Sequence, residues 1–334
     1  MKKIIALMLT LIFVISLSGC NLRKDYDIVT TLFPQYDFAK QIVKDKLTVG
    51  LIIPPGVEAH GFEPTSGNII TINNAKLFIY TSDIMEPWAA TVMQPNSQAI
   101  VLNLSLHLDI DADLHDHEHT SLSLSQTRNS KSLKLSTHDH DHDHENDPHY
   151  WVDLVMALQM IDEILHHIIE IDPENADFYT ENAEEYYHMI YDLHEEIEAY
   201  METVPSNKRE IFHAGHVNLG FFASRYNLTV HSLTEEYAPD GNPTSAQISA
   251  MIEEIKGSGA KYIFYEELVE PRVATTIKNE LAVQQYQINL LLFHGLHNVS
   301  ATYIKNNKTY LEIMTNNFTN LKIVLDEFVI NPTT

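Results

Sequence analysis

The sequence predicts an α/β protein of two similar lobes, each with a mainly parallel sheet flanked by helices, joined by one long rigid helix. Three observations predict it. Short β-branched runs alternate with segments of helical spacing through the first hundred residues and again after Pro205, the pattern of parallel strands with crossover helices. Between the two regions, Pro173 opens an amphipathic stretch over residues 174–204, which would run roughly 45 Å at 1.5 Å per residue and so span two lobes. The chain of 334 residues, 44% hydrophobic, is large enough for one large or two medium cores.

The elements follow in order. Met1-Lys2-Lys3, the apolar run 4–17 and Leu17-Ser18-Gly19-Cys20 have the layout of an export signal. The apolar run is too short for a membrane span. The last four residues resemble a bacterial lipobox, so residues 1–19 are expected to be removed and Cys20 to be acylated, with residues 20–26 as a tether to a membrane face. Loss of Lys2 and Lys3 takes the net charge from -25 to -27. The first lobe, residues 27–171, is expected to contain strands at 27–33, 47–53 and 77–81 and helices at 34–43, 68–74, 85–93 and 151–171. Residues 111–147 break the pattern. They are polar, rich in Ser, His and Asp and almost free of aromatic residues, a composition that cannot bury enough apolar surface to order itself. They are read as a flexible insertion. The linking helix occupies 172–204, with Phe178, Tyr186, Met189, Leu193, Ile197 and Tyr200 on its apolar stripe. The second lobe, 205–334, is expected to have strands at 210–213, 229–233, 261–265 and 285–292. Its helices are expected at 218–225, 244–256, 271–280 and 303–325.

The charge excludes one class of partner. A strongly acidic chain repels a phosphate backbone, so no nucleic acid is expected, while cations are attracted. Cys20 is the only cysteine, so a transition-metal site in the mature chain must use His, Asp or Glu. Eight of the 19 histidines fall between His115 and His149. His115, His117, His119, His138, His140, His142 and His144 alternate with carboxylates. Imidazole suits zinc, copper and nickel, but a mobile tract offers no fixed frame, so these residues are read as auxiliary metal binders of modest affinity. The isolated histidines are more informative. His60 follows Pro54-Pro55-Gly56, His149 lies in Asp147-Pro148-His149-Tyr150-Trp151, His216 precedes Gly220-Phe221-Phe222, and His294 follows the last strand. All four fall at strand ends or loop–helix junctions, where α/β lobes place ligands. Two from each lobe would hold a tetrahedral zinc ion in the cleft between them.

Several ordered motifs carry a family resemblance. Gly56-Val57-Glu58-Ala59-His60-Gly61-Phe62-Glu63-Pro64-Thr65, Tyr80-Thr81-Ser82-Asp83-Ile84-Met85-Glu86-Pro87-Trp88 and Asp147-Pro148-His149-Tyr150-Trp151-Val152-Asp153 lie in the first half. Gly215-His216 with Gly220-Phe221-Phe222, then Glu266-Glu267-Leu268-Val269-Glu270-Pro271 and residues 314–321, lie in the second. Together they resemble the zinc- or manganese-carrying substrate-binding proteins of ABC importers across nearly the whole mature chain. The resemblance implies two four-stranded lobes joined by a stiff helix and a His-rich insertion in zinc-type members. It carries over His60 and His149 as ligands. It prefers His216 to His213 for the third, and leaves His294, with His297 next, for the fourth. It implies an ABC permease and its ATPase subunit as partners, a monomeric receptor, and a location on the outer face of the cell membrane. Imidazole ligands favour zinc, whereas manganese-type sites of the family add two carboxylates.

Competing classes are weaker. No His-Glu-x-x-His is present. His194-Glu195-Glu196-Ile197-Glu198 ends in Glu and is read as a solvated helix face, and Ser258-Gly259-Ala260-Lys261 lacks companion motifs. No P-loop is present. An enzyme is therefore not expected, since four protein ligands leave a catalytic zinc no open position. A surface zinc buffer or adhesin working through the His-rich tract, or a manganese receptor, is the alternative. Deleting 111–147 separates the readings: a receptor keeps one tight site, a buffer loses nearly all binding.

Overall fold

The computed structural model describes residues 25–109, 147–216, 218–233, 243–268 and 271–326. Cys20 and the seven clustered histidines from His115 to His144 lie outside the described residues, as does nearly all of the 111–147 insertion.

Two four-stranded parallel sheets share one topology. The first has the order β2-β1-β3-β4, from β1 (Ile28–Thr30), β2 (Val49–Leu51), β3 (Leu77–Tyr80) and β4 (Ile100–Asn103). The second repeats it as β6-β5-β7-β8, from β5 (Glu210–His213), β6 (Thr229–Ser232), β7 (Tyr262–Tyr265) and β8 (Asn289–Leu292). Central β3, Leu-Phe-Ile-Tyr, is buried at every position, as expected of a parallel strand covered on both faces. In each sheet the strand order reverses between the two central strands. Ligands collect in the crevice outside the carboxyl ends at such a point.

The helices are α1 (Phe33–Val43), α2 (Ser66–Asn74), α3 (Leu154–Ile171), α4 (Ala176–Thr203), α5 (Gly220–Arg225), α6 (Ser245–Ser258), α7 (Arg272–Val283), α8 (Ala301–Lys305) and α9 (Tyr310–Leu325). Capping boxes start three of them: Thr65 with Asn68 at α2, Thr244 with Gln247 at α6, and Thr309 with Glu312 at α9. Asp153 caps α3, accepting from Val155 N at 2.8 Å. The linking helix α4 has 28 residues, or about 42 Å. The residues of its buried stripe are Tyr179, Ala183, Tyr186, Ile190, Leu193, His194, Ile197 and Met201, so His194, read as part of a solvated face, is buried. Met189, expected on that stripe, is 47% exposed, because the stripe runs one residue away from it.

Two other expectations are corrected. Residues 85–93 do not form an α-helix: Pro87 and the capture of Ser82 N and Thr81 N by the Glu86 carboxylate leave only a 3-10 turn at Ala89–Thr91. Strand β4 supplies the fourth strand that the resemblance implies, at a place the local pattern did not locate. The last helix is two, α8 and α9, broken where Asn307 takes φ 51°.

The lobes are stitched together. Trp151 Nε1 donates to Gly295 O at 2.8 Å, and Asn298 Nδ2 donates to Pro54 O and Val57 O at 2.7 and 2.9 Å. Arg225 Nη2 lies 2.9 Å from Asp153 Oδ2. Helix α9 returns to the first lobe, where Tyr310 N and Tyr186 OH both donate to buried Asp37 Oδ2, at 2.9 and 2.7 Å. One apolar core runs through Phe38, Trp151, Tyr186, Phe222, Phe293 and Tyr310. Opening the lobes would expose these buried amides and rings together, so the cleft is expected to change width little.

Candidate metal centre

Four histidines converge in the cleft. His60 follows β2, His149 follows β4, His216 follows β5 and His297 follows β8, all beyond carboxyl ends of strands. Each offers a ring nitrogen, and the four nitrogens lie within 4.8 Å of one another. The six ring-centroid separations run from 4.8 Å (His149–His297) to 5.4 Å (His60–His149). His149 and His297 are buried; His60 and His216 are half-buried.

Carboxylates stand behind three of the rings. His149 Nδ1 lies 2.7 Å from Asp147 Oδ1, His216 Nδ1 2.7 Å from Glu266 Oε1, and His297 Nδ1 3.2 Å from Glu267 Oε1. Occupying Nδ1 fixes the tautomer and leaves Nε2 for the centre, the carboxylate–histidine–metal arrangement. The buried Nε2 atoms of all four rings make no hydrogen bond. The backbone joins in. His149 N donates to Asp147 (3.0 Å), His216 N to Glu266 (2.8 Å), and Gly295 N and His297 N to the two oxygens of Glu267 (2.7 and 3.2 Å). His60 N donates to Glu58 Oε1 at 3.3 Å.

Two glycines are sterically required. A Cβ on Gly215 would sit 2.1 Å from Glu266 Oε1, and one on Gly295 2.8 Å from the His297 ring. Either substitution would push an orienting carboxylate or a ring away from the centre.

The environment sets the charge on the rings. Burial, then repulsion from the neighbouring imidazoles, pulls His60 down to about 2 and His149 well below its ordinary value. Burial also opposes charge on His297, but its hydrogen bond to Glu267 outweighs that and raises it. Burial acts against the Glu267 charge as well. The His294 and His297 imidazoles and the Gly295 amide outweigh it and hold Glu267 well below the usual carboxylate range. Burial thus favours the neutral, electron-donating form of His60 and His149, while Glu267 favours the protonated form of His297.

Of the sequence-predicted residues, the structure brings together His60, His149, His216 and His297. It does not include His294, ranked first for the fourth position. His294 Nδ1 accepts from Leu296 N at 3.1 Å, its ring stacks on Tyr303 at 5.6 Å, and its backbone pairs with Asn317 on α9. The chain turns at Leu296, in the left-handed region at φ 63°. That turn carries His297, three residues after His294, into the cleft. His213 is the last residue of β5, fully buried and outside the cluster; burial pulls its pKa down. Asp147, Glu266 and Glu267 were missed in their roles. The Asp-Pro-His spacing of 147–149 was the one legible signal.

A second group, His194, Glu195 and Glu198 on α4, also has ligand atoms within 4.8 Å of one another. There His194 Nδ1 is already bonded to Tyr226 OH at 2.9 Å and Nε2 faces Glu198 at 3.6 Å.

The chain was compared with known proteins. A family model described as ZnuA, zinc-uptake complex component A, periplasmic, matches residues 28–324. The high-affinity zinc uptake system protein ZnuA of Bacillus subtilis is 32% identical over 266 residues, 79% of this chain and 78% of that protein. The zinc-binding lipoprotein AdcA of Streptococcus pneumoniae is 26% identical over 98% of this chain, which spans 62% of AdcA's length. Among solved structures, the metal-dependent lipoprotein YcdH of Bacillus subtilis aligns with TM-score 0.68 and 28% identity, over 89% of this chain and 98% of that one. The Zn(II)-bound ZnuA-like domain of Streptococcus pneumoniae AdcA, 22% identical with TM-score 0.67 over 91% of this chain and all of that one, shares the fold. The family model spans both sheets and the segments that carry the four cleft histidines, and this chain belongs to the ZnuA family of zinc-uptake components.

Proposed function

We propose that the protein is the zinc receptor of an ABC importer, holding Zn²⁺ as cargo between its lobes on His60, His149, His216 and His297 and delivering it to a membrane permease driven by an ATPase subunit. The observation that carries this reading is the set of four ring nitrogens within 4.8 Å of one another, two from each lobe. Four imidazoles suit zinc over manganese, which favours oxygen. The nearby carboxylates sit behind the imidazoles, at Nδ1, where they orient the rings and offset the ion's charge. Four protein ligands fill a tetrahedral zinc, so the reading is a carrier and not a hydrolase. We further propose export and anchoring through acylated Cys20. Among the described residues no helix is long and apolar enough to cross a membrane. Metal titration of the wild type should show one tight zinc site that survives loss of the clustered histidines between His115 and His144. Loss of nearly all binding would favour the buffer reading instead.

Protons compete with the ion. Because His297 sits above its ordinary value and must be neutral to bind, affinity should fall as pH drops from neutrality, by about tenfold per pH unit while one proton is displaced per ion. His60 and His149, both held below their ordinary values, should add little further steepness near neutrality. Competition titrations between pH 5 and 8 check this; a slope near three protons per ion would contradict it.

The interlobe hydrogen bonds predict little closure on loading. Scattering curves of the metal-free and zinc-loaded protein should nearly superimpose, and a large compaction would contradict the stitched cleft.

A further inference from the structure

We propose a second site for a divalent transition cation of the zinc type, formed by His194, Glu195 and Glu198 on one turn of the linking helix α4. Each of the three offers one ligand atom, and these atoms lie within 4.8 Å of one another, the same span that encloses the four cleft nitrogens. The helix brings them together. His194 and Glu198 are four residues apart and share a face, and Glu195 stands three residues before Glu198. His194 Nδ1 is 2.9 Å from Tyr226 OH. That oxygen can accept from Nδ1, which orients the ring and leaves the Nε2 lone pair facing the carboxylates, as Asp147 does for His149. His194 Nε2 stands 3.6 Å from Glu198 Oε2, too long for a hydrogen bond. Two donors of a tetrahedral zinc, each about 2.0–2.1 Å from the ion, are roughly 3.3–3.4 Å apart, so this pair is already close to ligand-to-ligand spacing.

Burial makes the imidazole a fixed anchor and leaves the carboxylates within reach of solvent. His194 is 2% exposed, and Tyr191 packs edge to face on its ring with centroids 6.3 Å apart. Glu198 is half-buried and Glu195 exposed, so an ion would enter from the Glu195 side. Negative charge is concentrated there: burial first, and then the Glu195 and Glu198 carboxylates, raise the pKa of the Tyr191 hydroxyl. One imidazole with two carboxylates is a harder donor set than four imidazoles. Three protein ligands also leave coordination positions to water, so this site is weaker and faster to exchange than the cleft. Tyr226 caps the end of α5 in the second lobe, so a bound cation would tie the linking helix to that lobe. The site stands independently of the receptor reading.

A long-range proton–nitrogen NMR spectrum of the histidine rings in the full chain at pH 7 tests it. One equivalent of zinc chloride fills the cleft; further zinc should then shift His194 Nε2 to the position of a metal-bound nitrogen. Exposed His188, which has Glu184 and Asp192 four residues away on the same helix, should keep its position. Glu198→Gln should remove the His194 shift and leave the signals of His149 and His297 in the loaded cleft unchanged. The cleft and this site are read on different rings, so failure of one does not decide the other. The proposal is overturned if excess zinc leaves His194 Nε2 where it was, if His188 moves in parallel, or if Glu198→Gln retains the full shift.

Discussion

Replacing His149 with alanine is expected to weaken zinc binding by more than about 100-fold, and pairing it with His60→Ala to abolish tight binding. Removing an orienting partner of a ligating histidine typically costs 10–100-fold in metal affinity, and losing the ligand itself should cost more. His149 is the most enclosed ring of the four, at 0% exposure. Its Nδ1 and backbone N are both committed to Asp147, so no neighbouring side chain stands in for it. Competition against a chelator of known affinity measures the effect. The matched control is His294→Ala, which should leave affinity within a few-fold because that ring faces Tyr303 and α9. A His149→Ala variant that keeps wild-type affinity would remove this residue from the site.

Glu267→Ala is expected to damage both stability and binding. The carboxylate is buried and accepts from Gly295 N, His297 N and His297 Nδ1. Deleting one partner of a buried, hydrogen-bonded charge costs about 3–5 kcal/mol, and the orphaned amides cannot reach water. Zinc affinity should drop by about 10–100-fold as His297 loses its orientation. Glu267→Gln keeps an acceptor and should lose less stability. The linkage has a definite sign. The folded-state pKa of Glu267 is depressed, so its contribution is present above the ordinary carboxylate value near 4.5 and is lost as pH falls below it. Denaturant titrations at pH 7 and pH 3 check this. An alanine variant as stable as the wild type at pH 7 would contradict the role given to this residue.

Much of the fold was legible because strand, turn and helix signals agreed. Glu210–His213 and the run at 77–81 read as buried strands and are β5 and β3. The Pro173 start and the amphipathic run after it located α4. Where the reading failed, a side chain overrode local pattern. Glu86 folds back on Thr81 N and Ser82 N, and Pro87 follows it, so the chain here is set by a side chain's contacts and not by the helical spacing of 85–93. The site was legible where a histidine sat beside a turn residue whose purpose is steric or conformational, as at Gly215-His216 and Asp147-Pro148-His149. It was not legible between His294 and His297. Their order in the chain does not say which ring enters the cleft. That depends on Leu296 adopting φ 63°, a conformation that a non-glycine residue takes only when its surroundings impose it. The clamp by Glu267, itself followed by Leu268 at φ 61°, supplies those surroundings and is a tertiary fact.

The central claim is a four-imidazole zinc site closed by His297. X-ray absorption at the zinc edge, on the wild type and on His297→Ala each loaded with one equivalent of zinc, tests it most directly. The wild type should show four nitrogen neighbours at about 2.0–2.1 Å with imidazole outer-shell scattering, and His297→Ala should show three imidazoles and a fourth, oxygen donor that adds no imidazole outer-shell scattering. A wild-type spectrum with carboxylate oxygens in the coordination sphere, or one that His297→Ala leaves unchanged, would contradict the account.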